Sequence, residues 1–254
     1  MKIGFANHPR ENIYKEIEWG GKNKFDFIDM CLEPDKAEPH LLKTAEIIKI
    51  LKDYNLGSIG HTAYYIPIGS PLKKLRIAAF DILKEYIDFF AEINCRKMTV
   101  HADWANGMFR PEESVKFQIE TLNKTIEYAQ KNNVIIMYET VTSGNDNKIN
   151  IKKVLDKLPE LRFHADIGHL NLCGRNPLEY VKLFKKKLEH IHLHDNNGQM
   201  DLHLPIGTGN INMKELIPNL KKFYDKTITL EIFSKDKDYV LLSKRKLQEL
   251  WDNA

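Results

Sequence analysis

The chain predicts a (β/α)8 barrel, an α/β fold in which eight parallel strands alternate with helices. Three observations carry the prediction. Eight short runs of aliphatic and β-branched residues recur at 2–6, 27–32, 58–61, 97–101, 134–139, 162–166, 188–194 and 227–232. Between most of them lie segments whose apolar residues return at three- and four-residue spacing. Six successive runs end on or near a metal-binding side chain: His61 in GSIGH, His101 in MTVH, Glu139 in VIIMYE, Asp166 in FHAD, His192 in HIHLHD and Glu231 in TITLE. So many polar ends on buried runs imply delivery to one place, which is what the C-terminal face of a barrel provides.

The elements follow in order. MKIGFANHPR lacks a long apolar region before a small-residue cleavage site, so it reads as a first strand and not as a secretion signal. The turn after it, NHPREN, has no glycine-rich phosphate pattern, which argues against a doubly wound sheet. The second strand is followed by Glu33, facing either substrate or solvent, and then by a helix over 40–54. Ser70-Pro71 starts a helix over 72–94, with Leu75, Ala78, Ala79, Ile82, Tyr86, Phe89 and Phe90 as its apolar stripe. Pro111, before Glu112 and Glu113, starts a helix over 112–132, and Asn176-Pro177 starts another. GTGN at 207–210 reads first as a plain turn, with phosphate binding by its amides as the alternative. The chain closes on an amphipathic helix over 239–252. No linker or composition break divides residues 1–254, so one domain is expected.

Composition bounds the function. Hydrophobic content of 43% with 29% charged residues is that of a soluble globular protein. No apolar stretch reaches the roughly 18 residues of a membrane span. Three cysteines without CxxC spacing suggest reduced thiols and a cytoplasmic location. A net charge of +3 neither demands nor excludes nucleic acid.

Glu139, Asp166, His192 and Glu231 form the strongest constellation. Carboxylates mixed with imidazole suit a divalent metal, Mn, Co, Zn or Mg. So much negative charge at one barrel mouth needs a cation. His61 and His101 add imidazoles beside Glu139, as ligands, rim histidines or substrate contacts. Asp166 and His169 share one loop, and Asp201 and His203 are expected on one side of an extended segment. His190, His192 and His194 alternate and so face one way, with Asp195 available to orient one of them. Tyr64, Tyr65, Trp104 and Phe109 fall in loops near the mouth, for stacking on a sugar or base or for packing.

HTAYYIPIGSP, HADIGHLNL, HIHLHDNNG, DLHLPIGTGNIN and ITLEIF resemble the xylose isomerase-like TIM barrel superfamily, over nearly the whole chain. The superfamily includes sugar phosphate isomerases and epimerases and the endonuclease IV family. The isomerase/epimerase resemblance implies one divalent metal on Glu139, Asp166, His192 and Glu231, with the two glutamates as proton-transfer catalysts. It also implies a sugar or sugar-phosphate substrate touched by His169, with His194 and Tyr64 as further substrate contacts. The nuclease resemblance implies three zinc ions. His61, His101 and Glu139 would hold one. Asp166, His192 and Glu231, with bridging Glu139, would hold the second, and His169, Asp201 and His203 the third. Tyr64 matches the position of a tyrosine that the nuclease pushes into DNA. HLHD departs from the nuclease HLND pattern, placing His194 where asparagine is expected. The isomerase/epimerase branch is the expected one, the abasic-site nuclease the alternative, and an oligomer is compatible with both.

Overall fold

Alternation along a strand sends every second side chain into a closed barrel, so strand register decides what fills the interior. A computed structural model describes residues 1–34, 36–105 and 107–254. Its strands are β1 (Lys2–Ala6), β2 (Phe27–Leu32), β3 (Gly57–Thr62), β4 (Lys97–His101), β5 (Ile135–Glu139), β6 (Arg162–Asp166), β7 (Leu188–Leu193) and β8 (Thr227–Leu230). All eight are parallel to their neighbours and close in sequence order, β1 pairing β8. The predicted barrel is therefore the observed one.

The helices outside the barrel are α1 (Ile13–Lys22), α2 (Thr44–Asp53), α3 (Lys73–Glu92), α4 (Pro111–Lys131), α5 (Lys148–Lys157), α6 (Ile167–Asn171), α7 (Pro177–Leu183), α8 (Met213–Lys221) and α9 (Asp238–Asp252). The proline signals lie where expected. Pro111 opens α4, with the Glu113 carboxylate accepting from the Arg110 N–H, and Asn176 caps α7 through the Leu178 N–H. Two expectations shift. Residues 40–43 do not join α2, because Pro39 starts a separate short turn over Pro39–Leu41. The buried face of α3 is Ala79, Leu83, Tyr86, Ile87, Phe89 and Phe90, while Leu75, Ala78 and Ile82 are exposed. The helix carries apolar residues around more than one face, so spacing alone did not select the buried one. Among the described residues, no helix is long and apolar enough to cross a membrane.

The barrel interior is layered. At the bottom, Phe27, Ile59 and Met137 form a small apolar cluster. Gly4 makes room for it: a Cβ there would lie 2.3 Å from the Phe27 ring. The next inward positions are polar and wholly buried: Asp29, Thr99, His164, His190 and Thr229. Above them stand Cys31, His61, His101, Glu139, Asp166, His192 and Glu231, all buried. An irregularity between Phe163 and His164 sets His164 opposite His190 and Asp166 opposite His192. It aligns the last turns of β6 and β7 for a shared site.

Candidate metal centre

His192 is the hub of the upper layer. Its Nδ1 lies 3.1 Å from Glu231 Oε2, 3.4 Å from Glu139 Oε1 and 3.8 Å from Asp166 Oδ2. Three carboxylates from β5, β6 and the end of β8 thus surround one ring nitrogen. His192 Nδ1, Asp166 Oδ2 and Glu231 Oε2 are all buried without a hydrogen-bond partner. Convergent but unbonded donor atoms of this kind fit a divalent cation, and the mixed oxygen–nitrogen set suits Mn, Co, Zn or Mg.

Two further groups flank this hub. On the β3–β4 side, His61 Nε2 and His101 Nε2 lie 2.9 Å apart, each 3.1 Å from Glu139 Oε2. On the other side, Asp201 Oδ2 lies 3.1 Å from both His169 Nε2 and His203 Nε2. The second nitrogens of these last rings are anchored: His169 Nδ1 donates to the Thr140 carbonyl at 2.7 Å and His203 Nδ1 to the Glu231 carbonyl at 3.1 Å. Anchoring of this kind aims Nε2 of both rings at Asp201. His194 Nε2 stands 3.2 Å from Asp166 Oδ1 and 3.6 Å from Asp201 Oδ1, linking the hub to this outer group. The ring fits only because residue 168 is glycine, where a Cβ would fall 1.8 Å from His194 Cε1.

Burial alone would push Glu139 up, but His164, His192, His101 and His61 outweigh it and hold the carboxyl well below its ordinary range. Glu231 is lowered against its burial by His192 and His203. Reciprocally, and against burial, His192 is raised well above its ordinary value by Glu231, Glu139 and Asp29. His203 is raised to about 9 by Glu231 and Asp201, again against burial. Imidazolium protons therefore balance the carboxylates, and a cation entering the hub would displace protons.

Above the cluster opens a cavity of about 410 Å³. Its wall includes His61, His101, His169, Asp201, His203, Glu231 and Tyr64, together with His8, Arg10, Cys31, Glu33 and Phe233. Tyr64 is 62% exposed, so its ring is available to whatever enters. Glu33 faces the cavity half-buried, and burial raises its carboxyl. Glu139, Asp166 and His192 lie beneath this wall.

Several sequence expectations need correction. The Asp195 carboxylate orients no histidine: it accepts from the Asn196, Gly207 and Ile211 amides. Within GTGN the amides of Gly207, Thr208 and Asn210 are engaged within the chain, by the Asp195 carboxylate and by the Pro205 and Asn196 carbonyls, which favours the plain-turn reading. Asp201 and His203 converge without an extended segment, because His203 takes a left-handed backbone with φ of 46°. His190 lies below the hub, bonded to Asp29 and Thr227. Trp104 is packed inward, its Nε1–H donating to Asp146 at 2.9 Å, and Phe109 stands edge-on to Phe117. Sequence reasoning also passed over Asp29, His164 and Cys31. Alternation was the available signal: Asp29 and Cys31 share the Phe27 face of β2, and His164 that of Asp166.

The family model described as xylose isomerase-like TIM barrel matches residues 17–250. The chain belongs to that family. Among solved structures, a D-tagatose 3-epimerase-like protein superposes with a TM-score of 0.89 at 23% identity, over 99% of this chain and 97% of that one. Fructoselysine 3-epimerase of Shigella flexneri is 24% identical over 74% of this chain and 72% of its own length. A probable endonuclease 4 of Aster yellows witches'-broom phytoplasma is 26% identical over 72% of this chain and 70% of its own. Relatives named for each of the two chemistries weighed from the sequence are thus similar to this chain.

Proposed function

We propose that the protein is a divalent-metal-dependent sugar or sugar-phosphate isomerase or epimerase. The observation that carries this reading is the hub itself, with two glutamates from opposite parts of the barrel meeting at one ring nitrogen under a small-molecule-sized cavity. Epimerases among the relatives support it. Glu139, Asp166, His192 and Glu231 would hold the cation, which supplies polarisation of a substrate carbonyl and so acidity at the neighbouring carbon.

The remaining work belongs to side chains. Glu231 lines the cavity and is the group that takes the proton from the substrate carbon. Glu139, ionised at rest, returns from beneath a proton that it takes from the His61 imidazolium, 3.1 Å from its Oε2, which requires the reacting carbon to sit at the cavity floor. His169 and His203, held by backbone carbonyls and paired through Nε2 with Asp201, line the cavity and contact substrate oxygens from there. Tyr64 and Phe233 close the rim and reduce access of water. The test is incubation with ketoses, aldoses and their phosphates in D₂O with Mn²⁺ or Co²⁺, followed by NMR. Deuterium entering one carbon, with formation of an isomer, is expected. No exchange with any sugar, with metal bound, overturns the reading.

One observation favours a second reading. All nine side chains of the nuclease-like ligand set fall into three contiguous groups, as a three-zinc phosphodiesterase would require. Against it, among the described residues Arg10 is the only lysine or arginine lining the cavity, which offers little to a DNA backbone. Cleavage of an abasic-site duplex by the zinc-loaded protein would establish this second reading in place of the first.

A further inference from the structure

We propose that Asp29, buried in the barrel interior below the hub, is a positioning residue that sets the tautomer and ring orientation of His192. The proposal rests on the reading of His192 as a cation ligand. Asp29 belongs to β2, and its side chain is wholly buried. Its Oδ2 accepts from His192 Nε2 at 2.8 Å, from His190 Nε2 at 2.9 Å and from Thr229 Oγ1 at 2.9 Å. An ionised carboxylate has no proton to give, so Nε2 of His192 must carry the hydrogen. The bare nitrogen of a neutral His192 is then Nδ1, the atom that faces Glu231, Glu139 and Asp166. A carboxylate behind the ring and a cation in front is the arrangement that fixes ligand histidines and raises their basicity.

The surroundings hold Asp29 in turn. Three donors on one oxygen resist rotation of the carboxylate. His190 keeps its own orientation because its Nδ1 accepts from the Thr227 hydroxyl at 2.8 Å. The His164 ring stands across His192 at 4.2 Å between centroids and 80° between planes, which blocks a flip of the imidazole. A purely structural role for Asp29, satisfying donors in the core, predicts loss of stability and nothing more. A positioning role also predicts a change at Nδ1, on the far side of the ring.

The experiment uses the full chain, the Asp29→Ala and Asp29→Asn variants, and Thr227→Val as a comparator that disturbs only His190. Two quantities are read: the His192 tautomer in metal-free ¹⁵N-labelled protein at a pH high enough for the ring to be neutral, and Co²⁺ affinity by chelator competition with the visible absorption of the cobalt form. Asp29→Ala is expected to lose the Nε2–H tautomer as the dominant form and to weaken Co²⁺ binding about 10–100-fold. Asp29→Asn keeps an acceptor oxygen and should recover part of that loss, while Thr227→Val stays near the parent chain. Asp29→Ala binding Co²⁺ as tightly as the parent chain, with His192 still protonated on Nε2, overturns the proposal. If Asp29→Ala does not fold, Asp29→Asn decides, and parental affinity and spectrum in it overturn the proposal. Failure of the parent chain to bind Co²⁺ removes the cation reading instead. In that case the tautomer in Asp29→Ala still decides whether Asp29 orients the ring.

Discussion

The two ends of the barrel interior are filled by opposite chemistry. The lower end is closed by Phe27, Ile59 and Met137, an apolar plug of the kind that ordinarily fills such barrels. The upper end carries six imidazoles and four carboxylates among buried or nearly buried positions: His61, His101, His169, His192, His194, His203, Glu139, Asp166, Asp201 and Glu231. Apolar contacts at the bottom lower the free energy of folding without directing any atom at a ligand. The upper layer leaves buried polar atoms unbonded, a state that costs stability unless something enters to satisfy them. On the proposed reading the lower barrel serves stability and the upper one binding, and substitutions at the two ends should separate those quantities.

The largest separation is expected at Glu231. Glu231→Gln keeps the shape of the side chain and removes its proton chemistry, so turnover should fall about 10²–10⁴-fold. Circular dichroism and thermal midpoint should change little, and a fully active variant would remove Glu231 from the acid/base role. Met137→Ala is the opposite case. It should cost about 2–5 kcal/mol in denaturant unfolding, with turnover per folded molecule preserved. Loss of turnover without loss of stability there would erase the distinction between the two ends.

Gly168→Ala tests the link between backbone and site. The added methyl would meet the His194 ring, so the ring must leave Asp166 or the α6 start must shift. A destabilisation of about 1–3 kcal/mol is expected, read by thermal unfolding, together with weaker Co²⁺ binding. Unchanged stability and binding would show that His194 is not held by this contact.

The smallest effect concerns the lower rim, where Glu189 bridges Lys97 at 2.7 Å and Lys226 at 2.6 Å. Burial works against ionisation of Glu189, and the contacts to Lys226 and Lys97 outweigh it, so its folded-state value is depressed. A depressed value means that the stabilisation is present above the ordinary glutamate range and is lost as pH falls through the folded value. Glu189→Gln should therefore be less stable than the parent by about 1 kcal/mol or less at neutral pH, the difference vanishing in acid. A difference that persists unchanged in acid would mean that charge is not its cause.

Much of this architecture was legible in the residues. Apolar runs ending in His61, His101, Glu139, Asp166, His192 and Glu231 mark both strands and site, because a parallel barrel collects strand ends at one face. The parts that were not legible depend on register and backbone detail. Asp29 lies mid-strand, two positions before Cys31, and only the closed barrel brings it against His192 from β7. The meeting of Asp201 with His203 needs a left-handed residue in an irregular loop, which no periodicity reports. Asp195 resembled a partner for the neighbouring histidines by proximity in sequence, yet its carboxylate oxygens serve the amides of Gly207 and Ile211, 12 and 16 residues on. The exposed Leu75 and Ile82 show the same limit on a helix whose apolar residues do not form a single stripe.

The most direct test of the central claim is the divalent-metal content per chain, by elemental analysis of protein purified without chelator and again after dialysis against Mn²⁺, Co²⁺ or Zn²⁺. The hub formed by Glu139, Asp166, His192 and Glu231 predicts about one tightly held ion per chain, lost on His192→Ala. A chain that retains no metal and takes up none would contradict the claim, and about three zinc ions per chain would replace the epimerase reading with the phosphodiesterase one.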